Sequence, residues 1–283
     1  MKLMKAGAPL AAGLTFFWLA TLLQAQVLLN ENFDDDAVGS LPNTADIVLG
    51  DRPPATGSDV EVVGPGSTYT DPFGPAGNHS LVEDNFNGGS SFPNDWPFVS
   101  WNNELGQPGT RHRAGTVEFD LYMANDVVGG VDQKFWTYVD LRLGFDVSLP
   151  NTVGDTIIYG NFRVQDGVGY YFFDNAFAPS NGHPVRPDTV HHIKYTILPN
   201  ETYTLQVDGN FVQKDGSSTI PWRATGPNAG FNVFAIGAAF GPNNLTANPF
   251  YIDNLVISAV PEPSALVLGA IALAGAGIVR RRR

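Results

Sequence analysis

The chain has 283 residues, 43% hydrophobic and 16% charged, which is enough apolar material for one well-buried domain. It contains no cysteine, so disulfides, thiolate metal sites and cysteine nucleophiles are excluded together. Of its 16 Lys and Arg, six lie at the extreme ends (Lys2, Lys5 and Arg280 to Arg283), leaving 10 against 28 acids, a balance of −18 that excludes the basic clusters nucleic-acid binding depends on.

Residues 1–25 open with Lys2 and Lys5, continue through an apolar run with Leu14, Phe16, Phe17, Trp18, Leu19, Leu22 and Leu23, and close on Gln24-Ala25. Charge, grease and a small residue in that order predict a secretory signal peptide cleaved after Ala25, with a retained anchor helix as the alternative. Next come Asn32-Phe33-Asp34 and the acids Glu31, Asp34, Asp35 and Asp36. Together with Asp253 these acids offer the oxygen ligands a structural Ca²⁺ takes, and Asp34 and Asp253 are its candidate ligands. The spacing and glycine of an EF-hand loop are missing, and solvated turn acids are the competing reading. Residues 43–109 are rich in Pro, Gly, Asp and Asn, which predicts long loops and short strands without fixing a topology.

Beyond this region the pattern is alternation. Val117, Phe119, Leu121 and Met123 alternate with Glu118, Asp120 and Tyr122, as a strand with one buried face requires. Phe135, Thr137, Val139, Leu141 and Leu143 repeat the device against Trp136, Tyr138, Asp140 and Arg142. Further strands are predicted over 156–164, 169–173, 191–198, 202–207, 231–240 and 250–257. Asp208-Gly209 before Asn210 marks a hairpin, because Asp-Gly supplies the positive φ of a tight turn. Many strands without intervening helices predict an all-β protein, a β-sandwich, over residues 26–258.

The C-terminus reads Pro261-Glu262-Pro263-Ser264, then an apolar and glycine run over 265–279, then the four arginines 280–283. As a helix the run rises about 22 Å, short of the roughly 30 Å hydrocarbon core, so it spans a membrane marginally. The terminal arginines stay cytoplasmic and place the body of the protein outside. Over residues 260–283 the order of Pro-Glu-Pro, apolar span and basic tail resembles the PEP-CTERM sorting signal of certain Gram-negative bacteria. That resemblance implies recognition of Pro261, Glu262 and Pro263 by an exosortase, a membrane-embedded transpeptidase-like enzyme. It also implies transient anchoring in the inner membrane and delivery to the cell surface or extracellular matrix. A plain C-terminal membrane anchor is the alternative.

The run 190–195 followed by 203–209, with its Asp-Gly turn, resembles the paired central strands of LamG-like, concanavalin A-like jelly rolls. Asn32-Phe33-Asp34 and the segment 250–257 are similar to the first and last strands of such domains, which implies that the two ends of the domain meet. Enzymes of this fold class carry paired carboxylates. Glu118-Phe119-Asp120 resembles the start of the Glu-x-Asp-x-x-Glu motif of laminarinase-like enzymes, but Tyr122 and Met123 stand where the second glutamate belongs, and no catalytic residue is assigned. His191 and His192 are adjacent, so on a strand they face opposite ways and cannot chelate one ion. His79, His112 and His183 lack ligand spacing.

The aromatic residues Trp96, Trp101, Trp136, Trp222, Tyr138, Tyr170 and Tyr171 are candidates for stacking on sugars, with core packing as the competing role. Trp136 and Tyr138 share a face and are the preferred ligand-binding pair. The sequence therefore predicts an exported, non-enzymatic surface or matrix protein whose partners are an exosortase-type enzyme and extracellular polysaccharide. It requires no cofactor beyond the candidate Ca²⁺. A glycan-active hydrolase with a nonstandard site and a purely structural matrix protein remain the alternatives.

Overall fold

The computed structural model describes residues 25–40, 42, 47–49, 59–65, 71–74, 80–84, 98–101, 112–125, 127–128, 131–132, 135–142, 156–165, 168–173, 183–226, 229–240 and 250–260. The signal peptide, the Pro-Glu-Pro motif and the apolar span expected from the sequence lie outside them, as do Trp96 and His79. Among the described residues no helix occurs, and so none is long and apolar enough to cross a membrane.

The strands run in order as β1 (Gln26–Glu31), β2 (Ile47–Leu49), β3 (Asp59–Val63), β4 (Ser80–Asp84), β5 (Phe98–Trp101), β6 (Gly115–Met123), β7 (Val127–Val128), β8 (Val131–Asp132) and β9 (Phe135–Arg142). They continue as β10 (Thr156–Gln165), β11 (Val168–Phe173), β12 (His183–Val185), β13 (Val190–Leu198), β14 (Thr202–Val207), β15 (Asn210–Phe211), β16 (Ile220–Pro221), β17 (Val233–Phe240) and β18 (Phe250–Ala259). One sheet has nine strands in the order β15-β14-β13-β6-β18-β4-β3, with β1 added beside β18 and β16 beside β14. A second has seven strands in the order β12-β11-β10-β9-β17-β5-β2, and β7 with β8 forms a separate ribbon. Every strand pairing between them is antiparallel.

Alternation explains why the sheets stack. β6 buries Gly115, Val117, Phe119, Leu121 and Met123 and leaves the residues between them half-buried on the other face. β13 and β14 repeat the pattern with His191, Ile193, Tyr195, Ile197, Tyr203, Leu205 and Val207. The seven-stranded sheet answers with Ile158, Phe162, Val164, Tyr171, Phe234 and Ile236, all fully buried in the same core. Phe119 meets Phe234 across the gap with ring centroids 5.9 Å apart, which fixes the two sheets face to face as a jelly-roll sandwich.

The hairpin expected at Asp208-Gly209 is a two-residue turn with φ of 52° and 77° at these positions, the primed geometry that matches strand twist. Asp208 closes it twice over. Its Oδ1 accepts the His192 N–H at 2.9 Å, and its Oδ2 lies 2.7 Å from His191 Nδ1, while His191 Nε2 donates to the Arg186 carbonyl at 2.7 Å. The first and last strands pair, Gln26 opposite Ala259 and Glu31 opposite Leu255, so the two ends of the domain meet, but the first strand is Gln26–Glu31 and Asn32-Phe33-Asp34 form the loop that follows it. The stretch whose topology the sequence left open contributes β2 and β5 to one sheet and β3 and β4 to the other.

Candidate functional site

Two outer faces and one loop hold the candidate residues. On the seven-stranded sheet, register sets out the positions on the face away from the core. Trp136 pairs with Arg163, Arg163 with Tyr170, and Tyr170 with Pro184, so one row crosses β9 to β12. In the next row Tyr138 lies between Gly237 of β17 and Asn161 of β10, and Asn161 pairs with Phe172. A third row sets Asp140 between Ala235 and Tyr159. The neighbouring positions Ile158, Gly160, Phe162 and Val164 are buried, so strand alternation assigns these rows to the outer face.

Trp136 and Tyr138 hold alternate register positions of β9. What the sequence reading missed is the company they keep. Arg163 and Asn161 of β10 hold the register positions opposite them, Asp140 continues the alternation of β9 already seen in the sequence, and Ala235, Gly237 and Ala239 hold the paired positions of β17. The signal was the alternation within β10 itself, Tyr159, Asn161 and Arg163 against Ile158, Gly160, Phe162 and Val164. Among described side chains on this face, Tyr170 is half-buried, and Tyr159 lies under the Arg223 guanidinium at 5.2 Å.

Three other aromatic candidates are corrected by the structure. Trp101 and Tyr171 have no exposed surface and Trp222 is buried, because each points into the space between the sheets or under a loop. Trp101 stacks on Phe234, Tyr171 packs edge-on against Phe162 and Phe173, and Trp222 donates its indole N–H to the Thr202 carbonyl at 2.9 Å. Their rings serve the core.

The outer face of the nine-stranded sheet carries a polar network. His192 Nδ1 lies 2.9 Å from Asp120 Oδ1, and its Nε2 lies 3.6 Å from Glu118, which also pairs with Lys194 at 3.0 Å. Asn254 donates to Asp120 Oδ2 at 2.9 Å across the bulge that interrupts β18 between Asp253 and Val256. Asp253 sits opposite Asp120, and its carboxyl is pushed up to about 7, chiefly by burial and further by the charges of Asp120, Asp71 and Asp34. His191, on the other face of β13, is buried in the hairpin latch, so the adjacent histidines diverge as strand geometry dictates. Met123 faces the core with 1% exposure, whereas Glu118 faces outward on the same strand. His112 rests against the Phe231 ring, and burial holds His183 below the usual histidine range.

The loop after β1 is pinned by Phe33, which is fully buried at φ 59° and whose N–H donates to Glu31 Oε1 at 2.8 Å. With Phe33 inserted into the core, Glu31, Asp35 and Asp36 present ligand atoms within 4.8 Å of one another. Of the two candidates named from sequence, Asp34 is turned aside and accepts a hydrogen bond from Asn32 at 2.9 Å, and Asp253 lies on β18. Three carboxylates make a hard-oxygen donor set that suits Ca²⁺ by its chemistry.

The family model described as the PEP-CTERM protein-sorting motif matches residues 259–283. The match marks a C-terminal sorting signal, one that implies export, transient membrane anchoring and processing by the membrane enzyme exosortase. No curated protein sequence matches the chain. The fold is similar to that of a conserved carbohydrate esterase from the Shiga toxin-encoding bacteriophage phi24B, with a TM-score of 0.51 at 13% identity, covering 84% of this chain and 100% of that one. A likeness to endo-1,3-beta-glucanase from Streptomyces sioyaensis has a TM-score of 0.47 at 16% identity, covering 84% of this chain and 97% of the glucanase. At 13% identity the likeness to the esterase is one of fold alone.

Proposed function

We propose that the protein is a non-catalytic carbohydrate-binding module of the cell surface or extracellular matrix, a LamG-like sandwich delivered by its C-terminal sorting signal. The observation that carries this reading is the register of the seven-stranded sheet, which gathers Trp136, Tyr138 and Tyr170 with Arg163, Asn161 and Asp140 on one outer face. Aromatic faces stack on the apolar faces of sugar rings, and planar amides, guanidinium and carboxylate groups take the ring hydroxyls. Ala235, Gly237 and Ala239 hold the paired positions of β17, small residues that suit a chain lying along the strands. The acidity of the body favours neutral glycans over anionic ones, since like charges repel at the surface.

A structural Ca²⁺ in the loop after β1 belongs to the same reading, with Glu31, Asp35 and Asp36 as ligands and the Asp34 and Asp253 carboxylates adding to the negative field. A glycan array and polysaccharide pull-down on the exported protein, run with calcium and with chelator, tests both parts. Retention on a neutral glycan that is lost in Trp136→Ala and survives in Glu118→Gln supports a binding module. Product formation that disappears in Glu118→Gln would replace it with a glycan-active enzyme, and no retention on any glycan would leave a structural matrix protein.

A further inference from the structure

At residues 220–223 the chain passes from one sheet to the other. Ile220 pairs with Tyr203 and Pro221 with Thr202 of β14, and the Trp222 N–H donates to the Glu201 carbonyl at 2.8 Å, all along the nine-stranded sheet. One residue later the Arg223 N–H donates to the Ile157 carbonyl at 2.9 Å, on β10 of the seven-stranded sheet. β11 pairs with β10 no further than Phe173 opposite Gly160, so Arg223 takes the place beside β10 where that register ends. Trp222 is buried beneath the Arg113 guanidinium at 5.4 Å, and alternation turns the next side chain the other way. The Arg223 guanidinium accordingly lies 5.2 Å from the centre of the Tyr159 ring, beside the row that Asp140 and Tyr159 share on the outer face.

The loop that carries Arg223 is braced. Arg113 donates to the Gly226 and Ala229 carbonyls at 2.9 and 3.0 Å and pairs with Glu201 at 2.8 Å, and Glu201 in turn accepts the Gly226 N–H at 3.0 Å. Arg223 is thereby held between a backbone bond to β10 on one side and the Arg113 anchor on the other. A guanidinium against an aromatic ring is kept there by cation–π attraction, and it presents five N–H donors in a rigid planar fork. Among the described residues no acceptor meets those donors. A fork fixed in this way and open at its edge matches two neighbouring oxygens of a ligand.

We propose that Arg223 is a specificity-determining residue of this face: its fork donates to a pair of vicinal sugar hydroxyls, so the ligand is a neutral polysaccharide whose chain keeps such pairs free. The inference rests on the glycan-binding reading of the face and narrows it. In a 1,4-linked hexopyranose chain O2 and O3 of each unit are free and adjacent. In a 1,3-linked chain O3 is taken by the linkage and O2 and O4 flank it, so no vicinal pair of ring hydroxyls is left within the chain. Stacking on aromatic rings accepts either linkage, whereas a fork fixed beside Tyr159 separates them.

Gel retardation of the exported protein by 1,4-linked galactomannan and by 1,3-linked glucan tests this, alongside Arg223→Lys, Arg223→Ala and Trp136→Ala. Lysine keeps the charge but not the fork, and both substitutions at Arg223 keep the backbone bond to Ile157. Retardation of the parent several-fold stronger in galactomannan than in the 1,3-linked glucan is expected, with that preference lost in Arg223→Lys and Arg223→Ala at unchanged melting temperature. A parent preference for the 1,3-linked glucan, or galactomannan retardation undiminished in Arg223→Lys, would overturn the role of Arg223; weakening in Trp136→Ala would then still support the glycan face. Weaker retardation in the Arg223 variants accompanied by a lower melting temperature would make Arg223 a brace of its loop and would overturn the proposal as well. No retardation of the parent by galactomannan overturns the vicinal-pair ligand, and none in any neutral polysaccharide gel overturns the glycan-binding reading with it.

Discussion

Asp253 concentrates the electrostatic strain of the molecule. Its carboxyl, opposite Asp120 and within reach of the Asp71 and Asp34 charges, holds its proton to about pH 7 in the folded chain, against 3.8 when unfolded. Between those values the native state binds more protons than the unfolded one, so stability falls as pH rises from roughly 4 through 7 and levels off above. Thermal melts from pH 4 to 8 should therefore show a declining Tm, and Asp253→Asn should flatten that decline. Calcium added at pH 8 should restore Tm in the parent protein if the ion occupies the neighbouring loop. The sequence offered Asp253 with Glu31, Asp34, Asp35 and Asp36 as oxygen ligands for a cation, with Asp34 and Asp253 its candidate ligands. It did not reveal Asp120 as the partner that raises Asp253, because that pairing depends on β6 and β18 lying side by side, a long-range register no local pattern encodes.

Among the elements, the β13–β14 hairpin was legible throughout: period-two alternation, an Asp-Gly turn and boundaries that fit the observed strands. Its latch was legible only in part, because His191 and His192 read as a divergent pair while the role of Asp208 as acceptor for both needed the folded turn. Asp208→Ala removes the acceptor of His191 and of the His192 N–H and replaces a residue type that tolerates positive φ with one that adopts it less readily. It should destabilise the domain by about 1–3 kcal/mol, read as a shift of the urea midpoint at constant m. Gly160 in β10 makes a second test. A methyl group there would run into the Tyr171 ring, which is fully buried and whose hydroxyl lies 3.4 Å from that of Tyr195. Gly160→Ala should cost about 1–3 kcal/mol through overpacking. Nothing in the linear pattern marks Gly160 for this role, since a strand glycine is as often a weak point as a close approach.

At the scale of the molecule, the all-β class and the meeting of the two ends were legible from alternation and from the terminal strand segments. The order of strands was not, and β2 to β5 entered two different sheets from a stretch dominated by Gly and Pro. The aromatic assignment shows the same division. Alternation with Phe135, Thr137 and Val139 gives Trp136 and Tyr138 a common side of β9 in the sequence, whereas Trp101 ends the four-residue β5 and Trp222 follows the two-residue β16, so neither has a run of neighbours long enough to define a face. That Arg163 stands opposite Trp136 and Asn161 opposite Tyr138 depends on the pairing of β10 with β9, a register the alternation within β10 does not give.

Recognition of a neutral glycan by the proposed outer face of the seven-stranded sheet is measured by affinity electrophoresis of the exported protein in gels containing neutral polysaccharides, comparing the parent chain with Trp136→Ala and Tyr138→Ala. Retardation of the parent by at least one polysaccharide, reduced about two- to tenfold in apparent affinity by either substitution, is the predicted result, since one aromatic stacking contact contributes about 0.5–1.5 kcal/mol. Equal mobility of all three proteins in every gel, with their melting temperatures unchanged, would contradict it.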